Sequence, residues 1–183
     1  MTVAVVDYGA GNLRSLLAAL RRVGMDGSAT RDAATVADAA HVILPGVGAA
    51  ASAMRVLREA GIDAALRERF ARDAPVLGIC LGMQLAVDDT EEDGGVACLG
   101  LLRGSAERLR GQRVPRMGWA RVEPWGDSFY FAHSYGVVSP ATVATSEGLT
   151  AVVQQGAFCG VQFHPEKSGA AGERFLRQCL SAD

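Results

Sequence analysis

Three histidines, four cysteines and 6% aromatic residues leave this 183-residue chain thin in several residue types on which function is often built. The histidines show no ligand spacing, so neither a metal site nor a metal cofactor is expected. The cysteines, at 80, 98, 159 and 179, form no Cys-x-x-Cys pair and fall short of a small secreted scaffold's density. Free thiols in a reducing compartment follow from that. No lysine or arginine cluster offers a nucleic-acid face, and the formal charge is only −2. Arg21-Arg22 and Arg108-Leu109-Arg110 read as helix-end and loop charges. No apolar run reaches the length of a membrane span. The apolar start is stopped by Asp7 and lacks a basic leader, so it reads as a first strand and not a signal peptide. Repeats, linkers and low-complexity segments are missing too. The expectation is a cytoplasmic protein that binds neither nucleic acid nor membrane.

What the chain does have is 49% hydrophobic and 21% charged residues, the balance of an ordered globule. Its length suits one domain, residues 1–183, with a full core. Thr2 to Asp7 reads as a buried strand. Leu13, Leu16, Leu17 and Leu20 then recur at helical spacing, with Asn12 as N-cap and Gly24 as the stop. His41 to Leu44 is a second strand. Residues 49–60 and 62–72 read as helices punctuated by Gly61, and Val76 to Ile79 as a strand leading into a helix begun at 81–87. Strands alternating with helices imply a doubly wound, mostly parallel α/β sheet with helices on both faces. After Gly94 the texture changes to short strand candidates at 119–122, 129–132, 143–145, 151–154 and 158–163, an antiparallel C-terminal part. A helix over 172–180 closes the chain, with Phe175, Leu176, Cys179 and Leu180 on one side.

Chemistry concentrates where the strand at Val76 ends. Gly78-Ile79-Cys80-Leu81-Gly82 has the form of a nucleophile elbow with a thiol in place of the hydroxyl. Flanking glycines allow the backbone to double back, and a helix starting at Leu81 would point its free N–H groups at the sulfur. A buried cysteine in a glycine-rich turn is the plainer alternative. A cysteine nucleophile needs an imidazole base, and the imidazole needs a carboxylate to orient it. His164-Pro165-Glu166, after an apolar strand, supplies both. Cys98 lacks an elbow, and Cys159 sits within an apolar strand where burial would raise its pKa.

Pro45-Gly46-Val47-Gly48 leaves two readings open. Gly46-x-Gly48-x-x-Ala51 satisfies a loose dinucleotide fingerprint, but no following strand carries an acidic residue for a ribose. Gly9-x-Gly11 follows the first strand, yet its third position holds the large Arg14. His41 reads as a strand-start residue, and Gln84 and His133 each have an ordinary structural reading as well.

The elbow GICLGMQ, the loop LPGVG (44–48) and QFHPE resemble the class I, triad-type glutamine amidotransferases. VVDYGAGNLRS (5–15), VPRMGW (114–119), FAHSYG (131–136) and QFHPEKSG (162–169) resemble one branch of that family, the glutaminase subunits of imidazole glycerol phosphate synthase. The resemblance implies Cys80, His164 and Glu166 as catalytic triad, with Val47 and Leu81 amides as the oxyanion hole. It implies substrate contacts from Gly46, Gly48, Gln84, His133, Ser134 and Tyr135. Asn12, Met117, Trp119 and Lys167 would face the partner, a cyclase subunit with a (β/α)8 barrel fold, in a heterodimer. The substrate would be L-glutamine, hydrolysed to glutamate and ammonia, with no cofactor. Arg116, where histidine is common, Ala120, where asparagine is frequent, and a shortened 123–129 region depart from the pattern. A glutaminase of another pathway, a γ-glutamyl peptidase and a non-catalytic nucleotide-binding or regulatory subunit remain as alternatives.

Overall fold

The structure, a computed structural model, describes residues 2–9 and 12–181; Gly11, and with it the Gly9-x-Gly11 pair, lies outside them. The first half runs β1 (Thr2–Val6), α1 (Leu13–Arg22), β2 (Asp26–Thr30), α2 (Ala33–Asp38), β3 (His41–Leu44), α3 (Ala50–Glu59), α4 (Ile62–Ala71), β4 (Val76–Ile79) and α5 (Leu81–Gln84). The second half runs β5 (Asp89–Thr90), β6 (Val96–Ala97), β7 (Ser105–Arg108), β8 (Arg116–Arg121), β9 (Ser128–His133), β10 (Tyr135–Val138), β11 (Thr142–Ser146), β12 (Leu149–Gln155), β13 (Phe158–Val161) and α6 (Gly169–Ser181).

Apolar runs such as VAVV, VIL and VLGI can be buried on both faces, and that places β1, β3 and β4 in the middle of the main sheet. The strand order is β11-β12-β13-β4-β3-β1-β2. Pairing is parallel from β13 through β2 and antiparallel from β11 to β13. Smaller sheets, β10-β7-β5-β6 and the hairpin β8-β9, stand beside it. Two apolar clusters fill the two faces. One contains Met54, Leu57, Ile62 and Leu66 of α3 and α4; the other contains Leu16 and Leu20 of α1 with Phe175 and Leu176 of α6. Each such leucine contributes roughly 1.5–3 kcal/mol by leaving water. The doubly wound α/β architecture with an antiparallel C-terminal part is therefore present.

Several local readings need correction. Asn12 stands at the N-cap position of α1, but with φ 76° and no side-chain capping bond. The helix after the elbow is one turn, Leu81–Gln84, and does not run to 87. The Leu85 amide closes that turn on Leu81, and the chain then leaves to pair its 99–102 amides with carbonyls 85–87. The last strand ends at Val161, two residues early; Gln162 then turns its side chain towards Cys80 and Phe163 packs on Phe129 in the core. Strands β2, β5, β6, β7 and β10 and helix α2 were not read from the sequence. Arg69 is a further surprise: only 1% exposed, it donates to the carbonyls of Val36, Ala37, Ala39, Ala40 and Pro75 and ties α4 to the chain around α2.

Candidate active site

Parallel register brings the chemistry together. Val161 of β13 pairs with Ile79 of β4, so the residues that follow each strand emerge side by side at the carboxyl edge. The Cys80 amide donates to the Val161 carbonyl at 2.7 Å, fixing the elbow to β13. Cys80 adopts φ 48°, ψ −105°, a conformation that costs an L-residue roughly 1–3 kcal/mol. The strain is held in place from below: a Cβ on Gly82 would lie 2.0 Å from the Leu44 carbonyl oxygen, so only glycine lets the turn settle on β3.

Three residues past Val161, the His164 amide donates to the Tyr130 carbonyl of β9 at 2.9 Å, and the Ser168 hydroxyl donates to the His164 carbonyl at 2.6 Å. The ring is thereby held between two partners. Its Nδ1 lies 2.8 Å from Glu166 Oε1, with both side chains buried, and its other contact is a hydrogen bond with the Cys80 thiol. Burial opposes charge on this imidazole, but the hydrogen bonds and negative charges of Cys80 and Glu166 outweigh it and push the pKa up to about 9. His164 is therefore mostly imidazolium at neutral pH.

His133, at the end of β9, goes the other way. Burial, helped by the charges of Arg116 and His164, brings its pKa down to about 4, against a hydrogen bond to the Tyr135 carbonyl. That bond, 2.8 Å from Nδ1, makes Nδ1 the protonated nitrogen and leaves Nε2 a buried acceptor with no protein partner. The same Tyr135 carbonyl accepts from Gln84 Nε2 at 2.7 Å. The Ser134 carbonyl is used structurally, accepting from the Leu109 amide at 2.9 Å.

The 45–48 loop lies on the elbow. A Cβ on Gly46 would sit 2.3 Å from the Ile79 carbonyl oxygen and 2.7 Å from Cys80 Cβ. The inner side of this loop is thus filled by the elbow, where a dinucleotide would need room for its pyrophosphate. Tyr8, buried at the end of β1, spans the loop: its hydroxyl donates to the Pro45 carbonyl at 2.5 Å, and the Val47 amide acts on its oxygen from the other side of Gly46. Burial, then the negative charge at Cys80, raises this phenol above its usual range. Leu81 opens α5, so its amide belongs to the first-turn set with no partner inside the helix.

Asn12, Met117, Trp119 and Lys167 are all exposed, Met117 by 65% and Trp119 by 59%. Alternation along β8 turns Met117 and Trp119 outward and Arg116 inward. Inside, Arg116 stacks on Phe131 at 4.1 Å and binds Ser146 and Glu147. The turn carrying Lys167 packs against α1 and β9, and β9 pairs Tyr130 with Trp119. The shortened 123–129 region folds into a turn whose Trp125 stacks on Phe175.

Of the other thiols, Cys98 is buried and its pKa is pushed up to about 11, chiefly by desolvation. Cys159 is also raised, but first by a hydrogen bond with Cys179 and only then by burial. These two line a groove of about 1170 Å³ beside α6, which Cys80 and His164 do not border. Among the described residues no group of three or more His, Cys, Asp or Glu could hold a metal ion, and no helix is long and apolar enough to cross a membrane.

Sequence reasoning did not identify Gln162 or Tyr8 as site residues. Gln162 is fully buried with its Nε2 3.5 Å from Cys80 Sγ. Both lie inside motifs already noted, QFHPE and DYGAGN, so position within a motif was the available signal.

A family profile described as glutamine amidotransferase class-I matches residues 4–182. The chain is 46% identical to "Imidazole glycerol phosphate synthase subunit HisH" of Xanthomonas axonopodis pv. citri (strain 306), covering 97% of this chain and 96% of that one. It is 45% identical to the protein of the same description from Moorella thermoacetica, over 96% of this chain and 92% of that one. Among solved structures, a crystal structure of a glutamine amidotransferase aligns with TM-score 0.79 at 23% identity, over 98% of this chain and 99% of that one. PurLQS from Thermotoga maritima aligns with TM-score 0.75 at 20% identity, over 98% and 97%. At those identities the structural likeness speaks for the fold.

Proposed function

Since the chain belongs to the class I glutamine amidotransferases, and within them to the HisH subunits of imidazole glycerol phosphate synthase, we propose that its glutaminase chemistry runs through Cys80, His164 and Glu166. The observation that carries this is the placement of one imidazole between the Cys80 thiol and a buried carboxylate, with the cysteine strained outward at the end of a parallel strand.

The protein hydrolyses L-glutamine and feeds the ammonia to a cyclase partner in histidine biosynthesis. In the proposed mechanism the thiol proton resides on His164, and the sulfur attacks the side-chain amide carbon. The resulting oxyanion is met by the Leu81 amide and, once the loop has turned it inward, the Val47 amide. His164 then protonates the leaving nitrogen, so ammonia departs and a glutamyl thioester remains. The neutral ring next takes a proton from water, which hydrolyses the thioester to glutamate. Gln84, with the backbone of Gly46, Gly48, Ser134 and Tyr135 and the neutral His133, would hold the substrate. No cofactor enters acyl transfer to water.

The 183 residues would act as one amidotransferase domain in the cytoplasm. The cyclase, a (β/α)8 barrel in this proposal, docks on the face of Asn12, Met117, Trp119 and Lys167. It accepts ammonia before bulk water can protonate it, and converts a phosphorylated ribulosyl-aminoimidazole into imidazole glycerol phosphate and an aminoimidazole carboxamide ribotide. The deciding assay combines chain, cyclase, glutamine and that ribulosyl substrate. Formation of the imidazole product from glutamine supports the proposal; glutamine left intact overturns it.

Two further expectations arise here. Glu166 favours the imidazolium, so Glu166→Gln lowers the pKa of His164. The alkaline fall in partner-stimulated glutaminase activity, expected near pH 9 from His164, should then begin at lower pH. Activity at neutral pH should drop about tenfold, less than for loss of the nucleophile. An unmoved alkaline limb would separate Glu166 from His164. Lys167 is the only lysine in the chain, so its amine is a single reporter on the docking face. Amine acylation read by mass spectrometry should be protected at Lys167 when cyclase binds; equal labelling with and without cyclase would place the interface elsewhere.

A further inference from the structure

Gln162 occupies a position where burial would ordinarily select an apolar side chain. It follows β13, its own amide donates to the Ala151 carbonyl at 2.9 Å, and it is 0% exposed. An amide so placed is costly unless both ends are paired. Both are: Oε1 accepts from Gln84 Nε2 at 3.2 Å, and Nε2 donates to Cys80 Sγ at 3.5 Å.

The direction of these bonds is set from outside the pair. A backbone carbonyl only accepts, and that of Tyr135 takes Gln84 Nε2 at 2.7 Å and His133 Nδ1 at 2.8 Å. The Gln84 amide nitrogen must therefore face Tyr135. Its second N–H then requires an acceptor, which turns Gln162 Oε1 towards Gln84. What remains for the sulfur is the Gln162 NH2 group. A chain of three groups thus runs from the Tyr135 carbonyl through Gln84 and Gln162 to Cys80, and ends on a donor.

We propose that Gln162 is a positioning residue for the glutaminase reaction: its carboxamide holds the Cys80 sulfur by an N–H donor whose orientation is dictated, through Gln84, by the Tyr135 carbonyl. This rests on Cys80 being the nucleophile. A donor on sulfur favours the anion over the thiol, and a carboxamide is the side chain that can accept from Gln84 and donate to sulfur at once. Methionine at 162 fills similar space and does neither. Ionised glutamate would still accept from Gln84 but would turn an acceptor on the sulfur. The relay also ties the nucleophile to Gln84, so a substrate that engages Gln84 bears on the sulfur through one shared amide.

The test measures iodoacetamide alkylation of Cys80 in the full chain across pH 5 to 10, resolved by site with mass spectrometry, for wild type and Gln162→Met. The pH of half-maximal rate should rise by about one unit, so that labelling on the acid side of the midpoint slows by up to roughly tenfold. The acidic limb of partner-stimulated glutaminase activity should move up in pH by a similar amount. An unmoved midpoint overturns the proposal, whether activity is kept or lost, because a side chain that only packs would not alter the pH dependence. Should Gln162→Met fail to fold, Gln162→Glu, matched in size and still paired to Gln84, reads the same midpoint and must shift it upward. If wild type with cyclase leaves glutamine intact, the glutaminase assignment itself fails. A functioning wild type with an unshifted variant removes only the role of Gln162.

Discussion

Cys80→Ala is expected to abolish glutamine-dependent synthesis by the cyclase complex, by at least about 10⁴-fold, while ammonia-dependent synthesis continues near the wild-type rate. The split follows from which atoms are lost. Alanine keeps the Cβ, so the backbone at φ 48°, ψ −105° carries the same strain as before and the elbow remains seated on β3 and β13. The proposed docking face, with Asn12, Met117, Trp119 and Lys167, is untouched. Only the sulfur goes, and no other thiol can replace it. Cys98 is buried with its pKa pushed up to about 11, and Cys159 and Cys179 border a groove that Cys80 and His164 do not share. Measuring imidazole product with glutamine and with ammonium salt, on one preparation, reads both halves of the prediction. Continued use of glutamine would remove Cys80 as nucleophile; parallel loss of both activities would mean that the substitution damages the complex instead.

The residues most readable from sequence were those whose chemistry needs an unusual backbone or an unusual neighbour. Glycines on both sides of a cysteine at a strand's end, and a histidine and a glutamate straddling a proline, are improbable arrangements for packing alone. The buried strands β1, β3 and β4 were readable because both their faces are apolar. The edge strand β2, sequence DGSAT, was not: one side of it faces solvent and its alternation carries no hydrophobic signal. Strands of two residues such as β5 and β6 are made by their partners, Ser105 and Ala106 of β7 among them, and have no local pattern to read. Gln162 was overlooked for a different reason. A glutamine inside an apolar run announces neither acid, base nor nucleophile, and its importance depends on a neighbour 82 positions away in sequence. Arg116 shows the same limit from the other side. It departs from the family pattern, and strand alternation turns it inward onto Phe131 and Ser146. Met117 and Trp119 are left to form the outer surface.

Tyr8→Phe is expected to raise glutaminase activity in the absence of cyclase, by up to about a hundredfold, and to shrink the stimulation that cyclase provides. The Tyr8 hydroxyl donates to the Pro45 carbonyl, and the Val47 amide acts on its oxygen. While that clasp holds, the Val47 N–H is drawn towards a phenol in the core and away from an oxyanion at the elbow. One oxyanion donor is typically worth about 10²–10³ in rate, which bounds what its release can yield. The loop has the freedom to respond: Gly48 sits at φ 115°, a region of backbone space open to glycine, and Gly46 carries no Cβ to catch on Ile79. Phenylalanine fills the same volume in the core, so the substitution removes the phenol oxygen with its bond to Pro45 and little packing. Its cost to stability is that of leaving the Pro45 carbonyl without the phenol, about 1–3 kcal/mol, which the thermal midpoint should register alongside the kinetics. Cyclase binding would then act by drawing the loop away from Tyr8, a population shift between a clasped and a released loop that the variant imitates without the partner. Basal and stimulated rates falling together in Tyr8→Phe would show that the phenol supports the active arrangement of the loop, and the clasp would have to be abandoned as the restraint on the isolated subunit.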